Sequence, residues 1–423
     1  MILRATWTQI QRSKPPTRPL SEIKRNREEV PPTMAEPSAL IGFGLANLSL
    51  DPSSGEEPQR SELPSSSDSS LDTDVDEDKR LSLELGKLIQ VVNDIKHRTP
   101  LDNSYGPAGH FNIINSHPVA TGSFFQVRKL DGVSTSWPLV AKYPRLQATA
   151  KGYGITKTSL QSIKLEIEAL CHEPLRKHAN IIDIYGLGWA RLSALYDHVV
   201  PVLFLEFATH GTLRHYLSDN ETTPAERLRL GRDVGQGLKA LHASGIVHGD
   251  LKLENILVFD KGDGTVIAKL ADFGSTMQLT EQGFLQRGGT RPWNAPEWQQ
   301  SMEPINQNLI DVYSFGLLVW TLCIDGETPF PGLTLEEIDL RKTQNLVARD
   351  AIQSVTDYYE FYKCHVPPKT EVDQFDLYMV AVACPRNVFE HTLLLEPTWR
   401  SLDSALEGMD PEACYRYSRN LVL

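Results

Sequence analysis

The apolar periodicity of this chain changes once, near Thr212, and that change limits the folds open to it. Upstream, runs rich in β-branched and aromatic residues, "VATGSFFQVRKL" and "WPLVAKY", are separated by the polar turn "DGVSTS", and "PVLFLEFA" from Pro201 reads as a buried strand. A helix is predicted between these runs, from about Leu160 to Arg176, with Ile163, Ile167 and Leu170 on one face. Downstream, most segments repeat at helical spacing. "ERLRLGRDVGQGLKALHASG" places Leu230, Val234, Leu238 and Leu241 on one stripe that Gly245 ends. "GLLVWTLCI" from Gly316 suits a buried helix, and "ILVF" and "VIAKLA" flank "DKGDGT", a hairpin signal. The fold class this predicts is α+β, with a small β-rich lobe over residues 111–208 and a larger helical lobe over 209–409.

The flanks have a different texture. Residues 1–80 are Pro-rich, then Ser-rich and acidic, and Asp51 to Arg80 holds ten acidic residues against three basic ones. Such a segment cannot bury enough apolar surface to offset its chain entropy, so a disordered tail is expected. Its "SSSDSSLDTDVDED" fits an acidic linker better than a target for an acid-directed kinase. Leu81, Leu85, Leu88, Val92 and Ile95 then recur at helical spacing up to Pro100, which predicts an extension helix and linker over 81–110, packed on the following domain or held for a partner. Residues 410–423 read as a C-terminal tail.

Charge and cysteines narrow the setting. A net charge of −12 argues against a nucleic-acid partner. No apolar run approaches the roughly 20 residues needed to span a bilayer. The opening "MILRATWTQIQRSK" lacks a secretory apolar run, and Glu22, Glu28 and Glu29 weaken a mitochondrial reading. The five cysteines, at positions 171, 323, 364, 384 and 414, show no metal-ligand spacing and are expected as reduced thiols. The expected location is intracellular, the cytoplasm before the nucleus.

The chemistry concentrates in "IVHGDLKLENIL", which carries Asp250, Lys252 and Asn255. Phosphoryl transfer asks a protein for a base that orients the attacking hydroxyl, metal ions across the phosphates and a cation near the migrating group. This spacing supplies all three kinds of group on one tight loop. Twenty-two residues after Asp250, "ADFG" sets Asp272 after an apolar strand and before a glycine, as a carboxylate projecting toward a metal would stand.

With these motifs the chain resembles the eukaryotic protein kinase family from about Val119 to Leu406. The resemblance implies the two-lobed protein kinase fold, ATP as donor, Mg²⁺ as cation and protein hydroxyls as acceptors. It makes Asp250 the catalytic base, gives Lys252 the γ-phosphate, and assigns Mg²⁺ to Asn255 and Asp272. Lys142 in "LVAKY" would pair with Glu166 in "LEIEAL" and grip the α- and β-phosphates. "FLEFATHGTL" resembles the hinge, with Leu205 as gatekeeper, the Glu206 C=O and Ala208 N–H reading the adenine edge, and Leu257 as the floor. By the same resemblance Val119 and Val127 would belong to the nucleotide site.

Three departures accompany the resemblance. "ATGSFFQV" keeps only Gly122 of three phosphate-loop glycines, with Ala120 and Phe125 at the outer positions, which predicts weakened nucleotide affinity. Val140 stands where a smaller residue usually faces the adenine, crowding the pocket unless the strand bulges. Gly249 stands where an arginine is usual. "HGD" followed by Asn is also the habit of aminoglycoside and choline phosphotransferases, and "HGDLK" resembles kinases common in fungi.

Peptide-substrate features decide between these readings. "GGTRPWNAPE" supplies Thr290 and Glu297, "DVYSFG" supplies Asp311 to cap the catalytic-loop backbone, and "EPTWR" supplies Arg400 as a buried partner for Glu297. A protein kinase is favoured over a small-molecule kinase, and Lys252 with Thr290 resembles the Ser/Thr class. The rival from another class is a pseudokinase scaffold. Without an arginine at 249, Ser275, Thr276 and Thr280 are not expected as obligatory activating phosphosites. Residues 343–385 match no motif, and their aromatic residues are read as packing beneath the helical lobe before docking.

Overall fold

A computed structural model describes residues 70–98, 117–122, 124–130, 138–149, 152–191, 199–278, 289–299, 307–365 and 371–410. The rest of the expected N-terminal tail, the turn "DGVSTS", Thr280, Cys414 and the C-terminal tail lie outside the described residues. The described residues from Asp74 onward belong to one compact unit.

The first lobe is built on a five-stranded antiparallel sheet in the order β1 (His117–Thr121), β2 (Phe125–Lys129), β3 (Leu139–Pro144), β7 (Val199–Glu206), β6 (Ile184–Arg191). A separate short hairpin, β4 (Gln147–Thr149) and β5 (Gly152–Gly154), follows β3. Strand β3 is buried on both faces because alternate side chains enter different cores. Leu139, Ala141 and Tyr143 join Val200, Val202 and Phe204 in a small outer cluster, whereas Val140 joins Leu203 and Leu205 in the main core. Lys142, two residues beyond Val140, therefore points to the inner face.

Helix α2 (Lys157–Leu170) packs there through Leu160, Ile163, Ile167 and Leu170. The Thr156 side chain caps it by accepting from the Ser159 N–H at 3.2 Å. The helix ends six residues before the predicted Arg176, because Pro174 disfavours helical backbone at Glu173 and lacks a donor. The extension helix α1 spans Ser70–Arg98 and buries Leu88 and Val92, so helix begins inside the segment expected to be tail. The apolar spacing marked only the part that packs.

The second lobe is helical: α3 (Leu213–Asp219), α4 (Pro224–Ala243), α5 (Asn308–Cys323), α6 (Leu335–Thr343), α7 (Val347–His365), α8 (Glu371–Tyr378), α9 (Cys384–Thr392) and α10 (Leu402–Gly408). The stripe Leu230, Val234, Leu238 and Leu241 is fully buried, and Gly245 follows the end of α4 with φ +70°. Helix α5 is mostly apolar, buried on all sides and central to this core. Val347, Ala351, Val355, Met379 and Val382 bury the inner side of residues 343–385, while Phe361, Phe375 and Tyr378 remain exposed. Between α4 and α5 lie β8 (Ile246–Val247), the predicted hairpin β9 (Ile256–Asp260) and β10 (Val266–Leu270), and β11 (Met277–Gln278), which pairs with β8.

Candidate active site

Each candidate side chain reaches the cleft from a rigid element. Lys142 on β3 meets Glu166 on α2 because Glu166 lies on the stripe that packs against the sheet. The Lys142 Nζ is 2.7 Å from Glu166 Oε2 and 2.8 Å from Asp272 Oδ1. Burial alone would lower the lysine pKa, but the charges of Asp272 and Glu166 outweigh it and hold the ammonium above the ordinary lysine range. Burial pushes the Glu166 carboxyl up, against the pull of Lys142. With both of its oxygens on the ammonium, the ion pair is the arrangement the geometry favours. Lys142 in turn holds the half-exposed Asp272 carboxyl below the usual carboxylate range.

The loop bearing Asp250 is held from beneath. Asp311 on α5 accepts from the His248 N–H at 2.7 Å, the Gly249 N–H at 2.9 Å and the His242 ring at 2.9 Å. The fully buried His248 contacts the Ala271 carbonyl through Nε2 at 3.2 Å and accepts from the Asp250 N–H through Nδ1 at 3.3 Å. Ala271 N–H donates to the Asn255 carbonyl at 2.9 Å, so the loop bearing Asp250 and Asn255 is stitched to the residue before Asp272. Asp272 has a left-handed backbone, φ 61° and ψ 66°, which turns the chain as its carboxylate enters the cleft.

Above this base the polar groups form a closed set. Lys252 Nζ donates to Asp250 Oδ2 at 2.6 Å and to Thr290 Oγ1 at 2.7 Å, and Thr290 donates to Asp250 Oδ1 at 2.8 Å. Asn255 Nδ2 donates to the Asp250 carbonyl at 2.7 Å and to Oδ2 at 3.1 Å. Its amide nitrogen being committed, Asn255 has a carbonyl oxygen for a cation, and with the Asp272 carboxylate this makes a hard-oxygen pair that fits Mg²⁺.

The wall expected to face the adenine is apolar. Val140 and Leu205 are buried and directly paired across β3 and β7, and no bulge interrupts β3 to relieve the crowding expected from Val140. Val127, opposite Lys142, and Leu257 are partly buried against the same core. Glu206 ends β7 with its side chain tied to Lys269 at 2.6 Å and to the Asp183 N–H at 2.8 Å, which fixes the backbone leading to Ala208.

The phosphate loop is looser. All five residues of β1 are exposed, and the β1–β2 register shifts at Val119. The Gly122 N–H donates to the Phe125 carbonyl at 2.9 Å, and the Phe125 ring lies 5.0 Å from Lys142 Nζ. A phenylalanine at a glycine position gives no sign of this contact in the sequence.

Gly249 also proves to be more than a missing arginine. Its φ is +79°, and a Cβ there would stand 2.6 Å from the Ser275 carbonyl oxygen. Ser275 and Thr276 open the segment that packs on it, and the Thr276 hydroxyl is buried, donating to the Phe273 carbonyl at 2.8 Å. Arg400 meets Glu297 through two contacts, at 2.5 and 2.9 Å, with both side chains buried. His242, Arg214 (2.9 Å from Glu254) and Lys342 were missed, since only folding brings their partners near.

A profile described as "Protein kinase domain" matches residues 119–382, more than half of the chain. The chain is 35% identical over 217 residues to serine/threonine-protein kinase PknL of Mycobacterium tuberculosis, covering 50% of this chain and 47% of PknL. It is 32% identical over 161 residues to serine/threonine/tyrosine-protein kinase HT1 of Arabidopsis thaliana, covering 37% and 38%. It is 24% identical over 212 residues to human tyrosine-protein kinase TXK, covering 49% and 34%. The chain thus spans half or less of the length of these relatives.

Proposed function

The chain belongs to the protein kinase family, and from that premise we propose that it transfers the γ-phosphoryl group of ATP to serine and threonine hydroxyls of proteins. The observation that carries the residue class is Thr290, whose hydroxyl bridges Asp250 Oδ1 and Lys252 Nζ at 2.8 and 2.7 Å beside the position an acceptor hydroxyl must take. Asp250 orients that hydroxyl and takes its proton as the oxygen–phosphorus bond forms and the bond to the β-phosphate oxygen breaks. Lys252 offsets the charge on the migrating group. Lys142, already held by Glu166, grips the α- and β-phosphates. Asn255 and Asp272 are the residues that would hold Mg²⁺, which when bound supplies charge neutralisation across the phosphate oxygens. Val119, Val127, Val140, Leu205 and Leu257 enclose the adenine, and the backbone of Glu206 and Ala208 reads its edge. ATP as donor supports an intracellular location, and no disulfide is seen among the described cysteines.

One observation favours a second reading. The Phe125 ring lies against Lys142, where phosphates would bind, and a pseudokinase scaffold would tolerate that contact. Two measurements separate the readings. Saturating ATP with Mg²⁺, at 100 times Kd, should raise stability by about 2.7 kcal/mol in a thermal melt. A peptide array with labelled ATP, followed by phosphoamino-acid analysis, should give phosphoserine and phosphothreonine. Label on tyrosine alone would overturn the residue class, and binding without transfer would favour the scaffold.

A further inference from the structure

Lys342 lies in the last turn of α6, 2% exposed, and among the described residues it has no ion pair. Its Nζ donates instead to the carbonyls of Pro292 and Asn294, both at 2.6 Å, with Asn294 Oδ1 at 3.4 Å and the Tyr313 ring at 5.9 Å. Burying an ammonium without a carboxylate costs several kcal/mol unless hydrogen bonds replace its hydration. What those bonds secure is the backbone immediately following Thr290, the residue bonded to Asp250 and Lys252. Helix α6 grips the same loop on its outer side, where Arg291 pairs with Asp339. The helix is itself anchored by a capping box between Thr334 and Glu337 and by Arg341 on Asp350 at 2.6 Å.

We propose that Lys342 is a positioning residue for the peptide substrate: its ammonium fixes the Pro292–Asn294 backbone on which the acceptor segment lies and holds Thr290 against Asp250. The proposal rests on the protein kinase reading above. The lysine's hydrogen bonds go to Pro292 and Asn294 and to none of the residues proposed to hold the nucleotide, so its influence should fall on the peptide and not on ATP.

The charge of Lys342 is sensitive to pH. Burial pushes its pKa down to about 7 and Arg291 adds to that, while Glu297 opposes it. The other charged or titratable groups around it are engaged: Arg291 with Asp339, Glu297 with Arg400, Arg341 with Asp350, and Tyr313 beneath the Arg400 guanidinium at 4.8 Å. Proton loss above neutrality weakens the two carbonyl contacts from charge-assisted to neutral hydrogen bonds.

The test is steady-state transfer from ATP to a serine peptide chosen from the array and free of titratable side chains, across neutral pH, with the full chain and with Lys342→Met and Lys342→Gln. Both variants should raise the peptide KM by about tenfold, the size of one charge-assisted hydrogen bond, and leave the ATP KM unchanged. The wild-type peptide KM should climb as pH passes about 7, and the variants should lack that rise. A folded variant with a wild-type peptide KM, or with ATP and peptide KM rising together, would overturn the proposal. So would failure of both variants to give a cooperative thermal melt, since Lys342 would then be a prop of the core. A wild-type chain that transfers no phosphate would remove the kinase reading and this inference together.

Discussion

The two walls of the cleft are built to different standards. The lower wall is over-determined: Asp311 alone accepts three hydrogen bonds, His248 bridges two segments, and Asp250 is bonded to Lys252, Thr290 and Asn255. The upper wall is a fully exposed β1 strand with a register shift, and a phenylalanine stands where a glycine would bring backbone N–H groups to phosphate. Groups that move a proton and bear the transition-state charge need tight placement. Groups that grip the donor can vary at a cost in affinity. On the proposed function, two of the three departures, at the phosphate loop and at Val140, bear on nucleotide binding, while Gly249 lies in the well-braced lower wall.

The largest effect is expected in the helical lobe that carries the lower wall. Arg400→Met leaves Glu297 buried and uncompensated, and chemical denaturation should show a loss of about 3–5 kcal/mol. A loss under a third of that would make the wall less determined than its hydrogen bonds suggest. Next is Gly249→Ala, which places a Cβ in a left-handed backbone 2.6 Å from the Ser275 carbonyl. It should cost about 1–3 kcal/mol and lower activity, whereas an unchanged melting temperature would show that the segment after Asp272 gives way freely. The upper wall should respond with the opposite sign. Phe125→Gly removes the ring from Lys142 and should tighten ATP about threefold by calorimetry, the scale of one exposed cation–π contact. Weaker ATP binding would mean that the ring assists the phosphates. The smallest effect is expected from Ser275→Ala, Thr276→Ala and Thr280→Ala combined, since Gly249 offers a phosphate no guanidinium and Thr276 is buried. Activity should stay near wild type in a folded triple variant, and its abolition would restore loop phosphorylation as a switch.

Much of the lower wall was legible because its groups are close in sequence or in register. Asp250, Lys252 and Asn255 sit on one loop, and Asp272 follows a strand whose hairpin partner is marked by "DKGDGT". Lys142 and Glu166 were readable because alternation along β3 and the apolar stripe of α2 fix their facing sides. The remainder depends on packing that a linear reading does not contain. His242 reaches Asp311 across 69 residues and Lys342 reaches Asn294 across 48. The positive φ of Gly249 comes from the segment lying on it, and composition alone cannot distinguish that from a residue simply lost. The start of α1 was missed because a helix can propagate past the turns that bury apolar side chains, so the spacing from Leu81 gave no sign of its origin at Ser70.

In the proposed function an intact proton-accepting carboxylate works beneath a remodelled phosphate loop. Transfer from γ-labelled ATP to the selected peptide should be measured side by side for the wild-type chain and Asp250→Asn, with matched thermal melts. Wild type should transfer phosphate, and the variant should do so about 10²–10⁴-fold more slowly. Equal transfer by both proteins, or none by either despite ATP binding, would contradict that function.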